Sequence, residues 1–200
     1  MKTVQITPED MNKRLVRFSK LTPRSKLLQA AEGIPTEVNE FFQASANYTL
    51  MAPKEGEQSE ITSTAALDGG DAGNAISVSL AFCRPGDGPQ LHAHANTVEA
   101  FFCLGSRFRI TWGDEGENEV ILEPYDFLPV PKGVMRTFTN VGDEYGGLLV
   151  IIQGNKGEFR DVTHPAIVAQ AVRERWGDEM LATLKAKGRI FLDDTAEAAE

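Results

Sequence analysis

Two histidines and a glutamate lie close together in the stretch 86–105, GDGPQLHAHANTVEAFFCLG. His92 and His94 are one residue apart, so on an extended strand both imidazoles point to the same face. Four residues separate His94 from Glu99, and a short turn between paired strands would return that carboxylate to the imidazoles. Two nitrogens and one oxygen in this arrangement are typical of a facial triad around a divalent cation. The stretch therefore predicts neighbouring β-strands that share a metal site.

The same stretch resembles the first motif of the cupin superfamily, whose members are small antiparallel β-barrels of the jelly-roll type. The resemblance lies in Gly86, the His92-x-His94 pair, Glu99 and the following Gly105. The family usually has one more residue between the glutamate and that glycine. The resemblance implies that His92, His94 and Glu99 are metal ligands.

A second cupin motif should follow the first, and in the family it reads Gly-x5-Pro-x-Gly-x2-His-x3-Asn. Here the stretch YDFLPVPKGVMRTFTN matches it at Pro131, Gly133 and Asn140. Tyr125 stands where the family has a glycine, and Arg136 stands where it has its fourth metal ligand. The resemblance covers roughly residues 75–153.

The predicted fold class is mainly β, a cupin-type jelly-roll β-barrel with α-helical extensions at both ends. We predict a helical N-terminal extension over 1–48, the barrel over 49–160, and a C-terminal helical extension with an acidic tail over 161–200. No internal repeat of 20 to 50 residues is present, which favours one barrel over two. The family often pairs through sheet edges or swapped strands, so the resemblance also implies a homodimer.

Alternation and strand-forming residues predict the barrel strands. They fall at 75–83, 98–104, 108–112, 119–122, 134–140 and 148–152, with an edge strand in the Ser/Thr-rich stretch 58–66. The last of them, LLVII, is expected to be buried on both faces. Capping and proline signals predict helices near 8–19, 25–31, 36–42, 166–176 and 179–187.

Charge and composition limit the classes of partner. The chain has 29 acidic and 20 basic residues, a net charge of −9, and no basic run, so nucleic acid and anionic membranes are not expected partners. We expect no membrane span or leader, and a cytoplasmic protein. Cys83 and Cys103 form no CxxC pair, which favours reduced thiols.

Three interpretations of the site stay open. In the first, His92, His94 and Glu99 hold Fe, Mn, Ni, Zn or Co as a divalent ion, a choice that imidazole and carboxylate ligands leave open. In the second, Arg136, which is always protonated and cannot ligate, forms a forked ion pair with Glu99 in the space of the metal. In the third, the barrel is a scaffold without chemistry.

Other residues share the face of the site by strand parity. Arg136 is placed to anchor an acidic substrate beyond a bound metal. Gln90, Phe101, Cys103 and Phe138 are predicted to line a substrate pocket. His164 is expected to face solvent at the start of a helix, with a fourth metal ligand as the alternative.

The function predicted from these residues is that of a metal-dependent enzyme acting on a small molecule. Dioxygenation of an aromatic or enolic, and acidic, substrate ranks first, because two histidines and a carboxylate leave three coordination positions for substrate and O₂. Isomerase or lyase chemistry is next. The alternative is a cupin, metal-free or non-catalytic, that binds a small ligand.

Overall fold

The computed structural model describes residues 3, 5–27, 33–53, 74–155, 157–159 and 161–192. Strands dominate this part of the chain. They are β1 (Ala46–Met51), β2 (Asn74–Cys83), β3 (Ala93–His94), β4 (Val98–Gly105), β5 (Phe108–Trp112), β6 (Asn118–Leu122), β7 (Phe127–Val130), β8 (Arg136–Asn140), β9 (Gly146–Asn155), β10 (Val162–His164) and β11 (Ile190–Phe191).

The first layer is an antiparallel sheet of five strands in the order β1-β2-β9-β4-β7. Its longest ladder joins β2 to β9 over ten residue pairs, from Asn74 opposite Asn155 to Cys83 opposite Gly146. Strand β4 lies between β9 and β7, and Glu99 pairs with Ile152 on one side and Val130 on the other. This pairing on both sides places Glu99 on an interior strand of the sheet.

The second layer consists of two three-stranded sheets, β6-β5-β8 and β11-β10-β3. A single antiparallel bridge between His92 and Arg136 joins them, with both backbone N–H groups donating across it at 3.1 and 2.8 Å. Strand β10 lies on the other side of β3, with Val162 opposite His94. The histidine segment is thus held between β8 and β10.

The barrel core lies between the two layers. Alternate residues of strands from both layers meet there and are almost fully buried: Ala81, Cys83, Phe101, Cys103, Phe108, Ile110, Leu122, Phe138, Leu148 and Val150. Burying this much apolar surface is the main stabilising contribution to a barrel of this kind.

The expected burial of 148–152 on both faces is wrong for the outer face. Leu148 and Val150 are buried in the core, whereas Leu149 and Ile151 are half-buried. They lie on the opposite side of the sheet, as the two-residue period of a strand requires.

Helices flank the barrel at α1 (Pro8–Asn12), α2 (Thr36–Phe41) and α3 (Ala166–Ala186), with a 3₁₀ turn at Phe18–Lys20. A second cluster packs α2, α3 and β11 together through Val38, Phe41, Val172, Leu184 and Phe191. The two C-terminal helices predicted from the sequence are confirmed: α3 consists of two helical segments that meet at Gly177, whose φ of 83° breaks the helical path.

The first helix is shorter than predicted. It begins as expected, with the Thr7 side chain accepting a hydrogen bond from the Asp10 backbone N–H, but it ends at Asn12 instead of near 19. Met11 and Leu15 are 54% and 51% exposed, so this segment lacks the packing that sustains short helices.

The remaining fold predictions divide into confirmed and untested ones. The mainly β, cupin-type barrel with helical extensions is confirmed. Residues 24–27 are helical, whereas the rest of the second predicted helix and the predicted edge strand lie outside the described residues. The domain boundaries stay predictions. Among the described residues, no helix has both the length and the apolar composition needed to cross a membrane.

Candidate metal centre

The three predicted metal ligands meet between the two layers of the barrel. His92 and His94 come from the second layer and Glu99 from β4 of the first, and one ligand atom from each lies within 4.8 Å of the others. All three residues are buried: His92 is 9% exposed, and His94 and Glu99 are each 5% exposed. The sequence prediction that these three groups converge is therefore matched by the geometry.

Asp161 fixes the orientation of His94. Its Oδ1 lies 2.7 Å from His94 Nδ1, while its Oδ2 accepts hydrogen bonds from Asn96 N, Thr97 N and Thr97 Oγ1. Burial alone would raise the pKa of Asp161, but the hydrogen bonds from His94 and the 96–97 loop outweigh it and hold the pKa below its ordinary value. An ionised Asp161 accepts the Nδ1 proton of His94, so His94 presents the lone pair of Nε2 to the site.

His92 presents the same nitrogen for a similar reason. Its Nδ1 lies 2.7 Å from the backbone carbonyl of Gln90, which can only accept, so Nδ1 carries the proton. Burial, followed by the nearby charge of Arg136, keeps the pKa of His92 well below its ordinary value. Neutral His92 therefore has the free Nε2 lone pair that a metal ligand needs.

Arg136 spans the site from β8 to Glu99. Its Nε and Nη2 both donate to Oε2 of Glu99, at 3.0 and 2.6 Å, and its Nη1 donates to the backbone carbonyl of His92 at 3.1 Å. The other carboxylate oxygen, Oε1, faces His94 Nε2 at 3.9 Å. The ion pair thus occupies one oxygen of Glu99 and leaves the second directed at the histidines.

The structure places the other predicted site residues as follows. Gln90 contributes its backbone carbonyl rather than its side chain to His92. Phe101, Cys103 and Phe138 are buried in the barrel core, with the rings of the two phenylalanines 5.4 Å apart. Their contact with a substrate stays a prediction.

The expectation that His164 faces solvent is wrong. His164 is 2% exposed, because β10 pairs with β3 and carries it beneath Phe42 and Phe191, whose rings lie 4.9 and 5.5 Å away. Burial lowers the pKa of His164 to about 4, so it is neutral at pH 7.

Asp161 and Thr97 were not predicted from the sequence. Asp161 is 67 residues from His94, outside both motifs, and a single aspartate before a short strand gives no signal of its own. Thr97 lies within the first motif, three residues after His94, but threonine in a turn is too common to mark a site.

The donor set suits a divalent ion of the borderline class. Two imidazole nitrogens and one carboxylate oxygen are buried in one place, and both imidazoles are held by hydrogen bonds through their second nitrogen, as metal-bound histidines almost always are. The positive charge of Arg136 opposes a cation, but its bond to Glu99 balances that charge. The residues present fit a metal ion.

No protein-family model and no curated protein matches this chain. Similar solved structures do exist. A Cupin 2 conserved barrel domain protein from Salinispora arenicola shares 17% identity over 38% of this chain and 61% of that chain, with a TM-score of 0.35. A sugar phosphate isomerase from a cupin superfamily, from Silicibacter pomeroyi, shares 19% over 42% and 60%, with a TM-score of 0.36.

A third similar structure is KdgF from Halomonas sp., with 10% identity over 44% of this chain and 87% of that chain and a TM-score of 0.37. The matched part spans less than two thirds of the Salinispora and Silicibacter chains. Likenesses at this level carry no information on activity. The two motifs in the sequence and the strand order that joins them identify a cupin-type jelly-roll barrel, the fold of the cupin superfamily.

Proposed function

We propose that this chain binds a divalent metal ion through His92, His94 and Glu99 and acts as a small-molecule enzyme of the dioxygenase type. The observation that carries the proposal is the hydrogen-bond contact that both histidines make through Nδ1. Each is hydrogen-bonded through Nδ1 to an acceptor, so that both Nε2 lone pairs and Oε1 of Glu99 are available to one ion.

The bound ion would supply Lewis acidity and, if redox-active, a place for O₂ beside the substrate. The chain's own residues would do the rest. Asp161 holds His94 in orientation, Arg136 holds Oε2 of Glu99, and the apolar core around Phe101 excludes water from the inner end of the site. An aromatic or enolic substrate suits a site with these surroundings.

The hydrogen bonds of Arg136 leave two of its donors for a substrate. A guanidinium has five N–H donors, and three of them are bonded to Glu99 and His92. The remaining N–H of Nη1 and of Nη2 could receive an acidic group of the substrate. We therefore propose Arg136 mainly as the residue that positions Glu99, with substrate anchoring as its second role.

A second candidate function is metal-free binding of a small ligand, and the Glu99–Arg136 ion pair favours it. Arg136 is 1% exposed and Glu99 is 5% exposed, so each charge is already compensated by the other without any ion. In this case the histidines would form hydrogen bonds to an organic ligand. The homodimer is a separate prediction, and light scattering of the purified protein would test it by measuring its molar mass.

The metal content of the purified protein tests the proposal directly. The protein is purified without added metal and without an affinity tag that binds metal, and its metal content is measured by elemental mass spectrometry. The variant His94→Gln is purified and measured in the same way as the matched control. Near-stoichiometric iron, manganese, nickel, zinc or cobalt in the parent protein, lost in His94→Gln, would support it. A parent protein that stays empty on titration with each of these ions would favour the metal-free candidate.

Oxygen consumption then tests the reaction class. The metal-loaded protein is mixed with a panel of catechols and enolic acids in an oxygen-electrode cell. Uptake of O₂ that requires both substrate and ion supports dioxygenation, whereas a stoichiometrically loaded protein that consumes no O₂ with any of them contradicts it and leaves isomerase or lyase chemistry.

A further inference from the structure

His164 has a buried nitrogen without a hydrogen-bond partner in the part of the chain that the structure describes. Its Nδ1 lies 3.2 Å from the backbone carbonyl of Leu91, and a carbonyl can only accept, so the ring proton is on Nδ1 and the lone pair is on Nε2. That Nε2 is fully buried, and no described residue provides it with a hydrogen-bond partner. Buried polar atoms are almost always paired, and an exception calls for a partner that the protein chain itself does not supply.

The pairing of β10 with β3 brings His164 beside the metal centre. Val162 lies opposite His94 and Thr163 opposite Ala93, so the next pair in this register sets His164 opposite His92. Residues opposite each other in an antiparallel pair point to the same face. The ring centres of His164 and His92 are 6.0 Å apart, close to the 5.6 Å between His92 and His94.

Among the described residues, none bonds to Nε2 of His164. The rings of Phe42 and Phe191 pack against the imidazole, and both are apolar. All three histidines of the chain therefore share one pattern: Nδ1 is bonded to an acceptor in the protein, and Nε2 is left as a lone pair. Two of these lone pairs already belong to the candidate metal centre.

We propose that His164 supplies a third imidazole ligand to this metal centre. The inference rests on the proposed metal binding and extends it to a residue of β10, outside both sequence motifs. His164 is not part of the three-residue group whose ligand atoms lie within 4.8 Å, so ligation requires its ring to turn toward His92. Its lone pair would then be satisfied, and the ion would have three nitrogens and one oxygen even though Arg136 cannot ligate.

The number of bound imidazoles is the direct readout. Pulsed EPR of the full chain loaded with Cu²⁺ counts coordinated histidines through the remote nitrogen of each ring, and a Co²⁺ titration followed by visible absorbance gives the affinity. His164→Phe removes the nitrogen and keeps a ring among Phe42 and Phe191. Phe42→Leu is the matched control, because it disturbs the same cluster and keeps all three histidines.

We expect three bound imidazoles in the parent protein and in Phe42→Leu, and two in His164→Phe. The dissociation constant for Co²⁺ should rise at least about 100-fold in His164→Phe, because the loss of a ligand should weaken binding at least as much as the loss of a residue that orients one. Two imidazoles in the parent protein, with unchanged affinity in His164→Phe, would overturn the role of His164 and leave the three-residue site intact. A parent protein that binds neither ion would overturn the proposed function itself. Should His164→Phe fail to fold, His164→Gln provides the same comparison with a polar side chain.

Discussion

Arg136 donates two hydrogen bonds to a single oxygen of Glu99 and leaves the other oxygen directed at His94. The two residues come from different layers of the barrel, so their ion pair ties the sheets together at the candidate metal centre. The same contact decides how much of Glu99 is available to an ion. One carboxylate thus serves a structural contact through Oε2 and a prospective ligand position through Oε1.

Removing Arg136 alone should destabilise the barrel. Arg136→Met leaves the charge of Glu99 buried and unpaired, so we expect the free energy of unfolding to fall by about 3–5 kcal/mol, measured by denaturant titration of the metal-free protein. The double variant Glu99→Met with Arg136→Met removes both charges and should recover most of the loss. Equal, additive losses from the two single changes would show that the ion pair contributes nothing.

Asp161→Asn should weaken metal binding through the tautomer of His94. The donors of the 96–97 loop bond to Oδ2 of Asp161, so the side-chain oxygen of the asparagine would take that position. The side-chain NH₂ of the asparagine would then face Nδ1 of His94, and the ring proton of His94 would move to Nε2. We expect roughly 10–100-fold weaker Co²⁺ binding. Nitrogen NMR of labelled imidazole reports the tautomer, and the exposed Asp143→Asn serves as control. Unchanged affinity with a switched tautomer would show that His94 is not a ligand.

Acid should destabilise the metal-free protein before the carboxylates titrate. The folded pKa of His164 is about 4, below the unfolded value near 6.5, so the unfolded state binds more protons as the pH falls and stability is lost. Between pH 7 and pH 4.5 the free energy of unfolding should fall by roughly 2–3 kcal/mol because of His164, with a further loss from His92. The depressed pKa of Asp161 acts only below about pH 4.

Denaturant titrations between pH 7 and pH 4.5, in the presence of a chelator, measure how steeply the free energy of unfolding changes with pH. His164→Phe has no group to protonate at this position, so its stability should fall less steeply by the share of His164. A variant with the same slope as the parent protein would mean that His164 is not neutral and buried in solution.

The two cysteines should be inert in the folded protein. Burial raises the pKa of Cys83 to about 12 and also raises that of Cys103, and only the thiolate reacts with disulfide reagents. We expect no colour with Ellman's reagent at pH 8 until denaturant is added, and then two thiols per chain. Rapid reaction of the native protein would contradict the burial of these strands.

Gly88→Ala should disturb the segment that leads to His92. A Cβ at Gly88 would collide with the backbone carbonyl of Phe138 on β8, whereas a Cβ at Gly105 would meet nothing within 4 Å. We expect a loss of roughly 1–3 kcal/mol in the free energy of unfolding for Gly88→Ala and a much smaller one for the control Gly105→Ala. Similar losses at both positions would contradict the close approach of this loop to β8.

Much of the barrel could be predicted from the sequence because its strands are long and regular. Strand β2 carries strand-forming residues over its whole length, and Glu99, Phe101 and Cys103 share a face by parity alone. The convergence of His92, His94 and Glu99 could also be predicted, since only four residues separate the second histidine from the glutamate and a tight turn leaves them little freedom.

The groups that support the site could not be predicted in this way. Asp161 and His164 reach it through a pairing between a strand of three residues and one of two, too short for any periodicity. A histidine before a proline and a helix is typical of a solvent-facing position. The rings of Phe42 and Phe191, which are distant in sequence, override that tendency by covering His164.

The pairing of β10 with β3 has a consequence for how this protein could be shortened. A fragment that stopped at Asn155 would keep both motifs and all three of His92, His94 and Glu99, and by sequence it would look complete. It would lack the aspartate that aims one imidazole and the strand that flanks the histidine segment. The candidate metal centre therefore depends on the chain at least as far as β10, and a truncated version should retain the three candidate ligands without the residues that hold them in place.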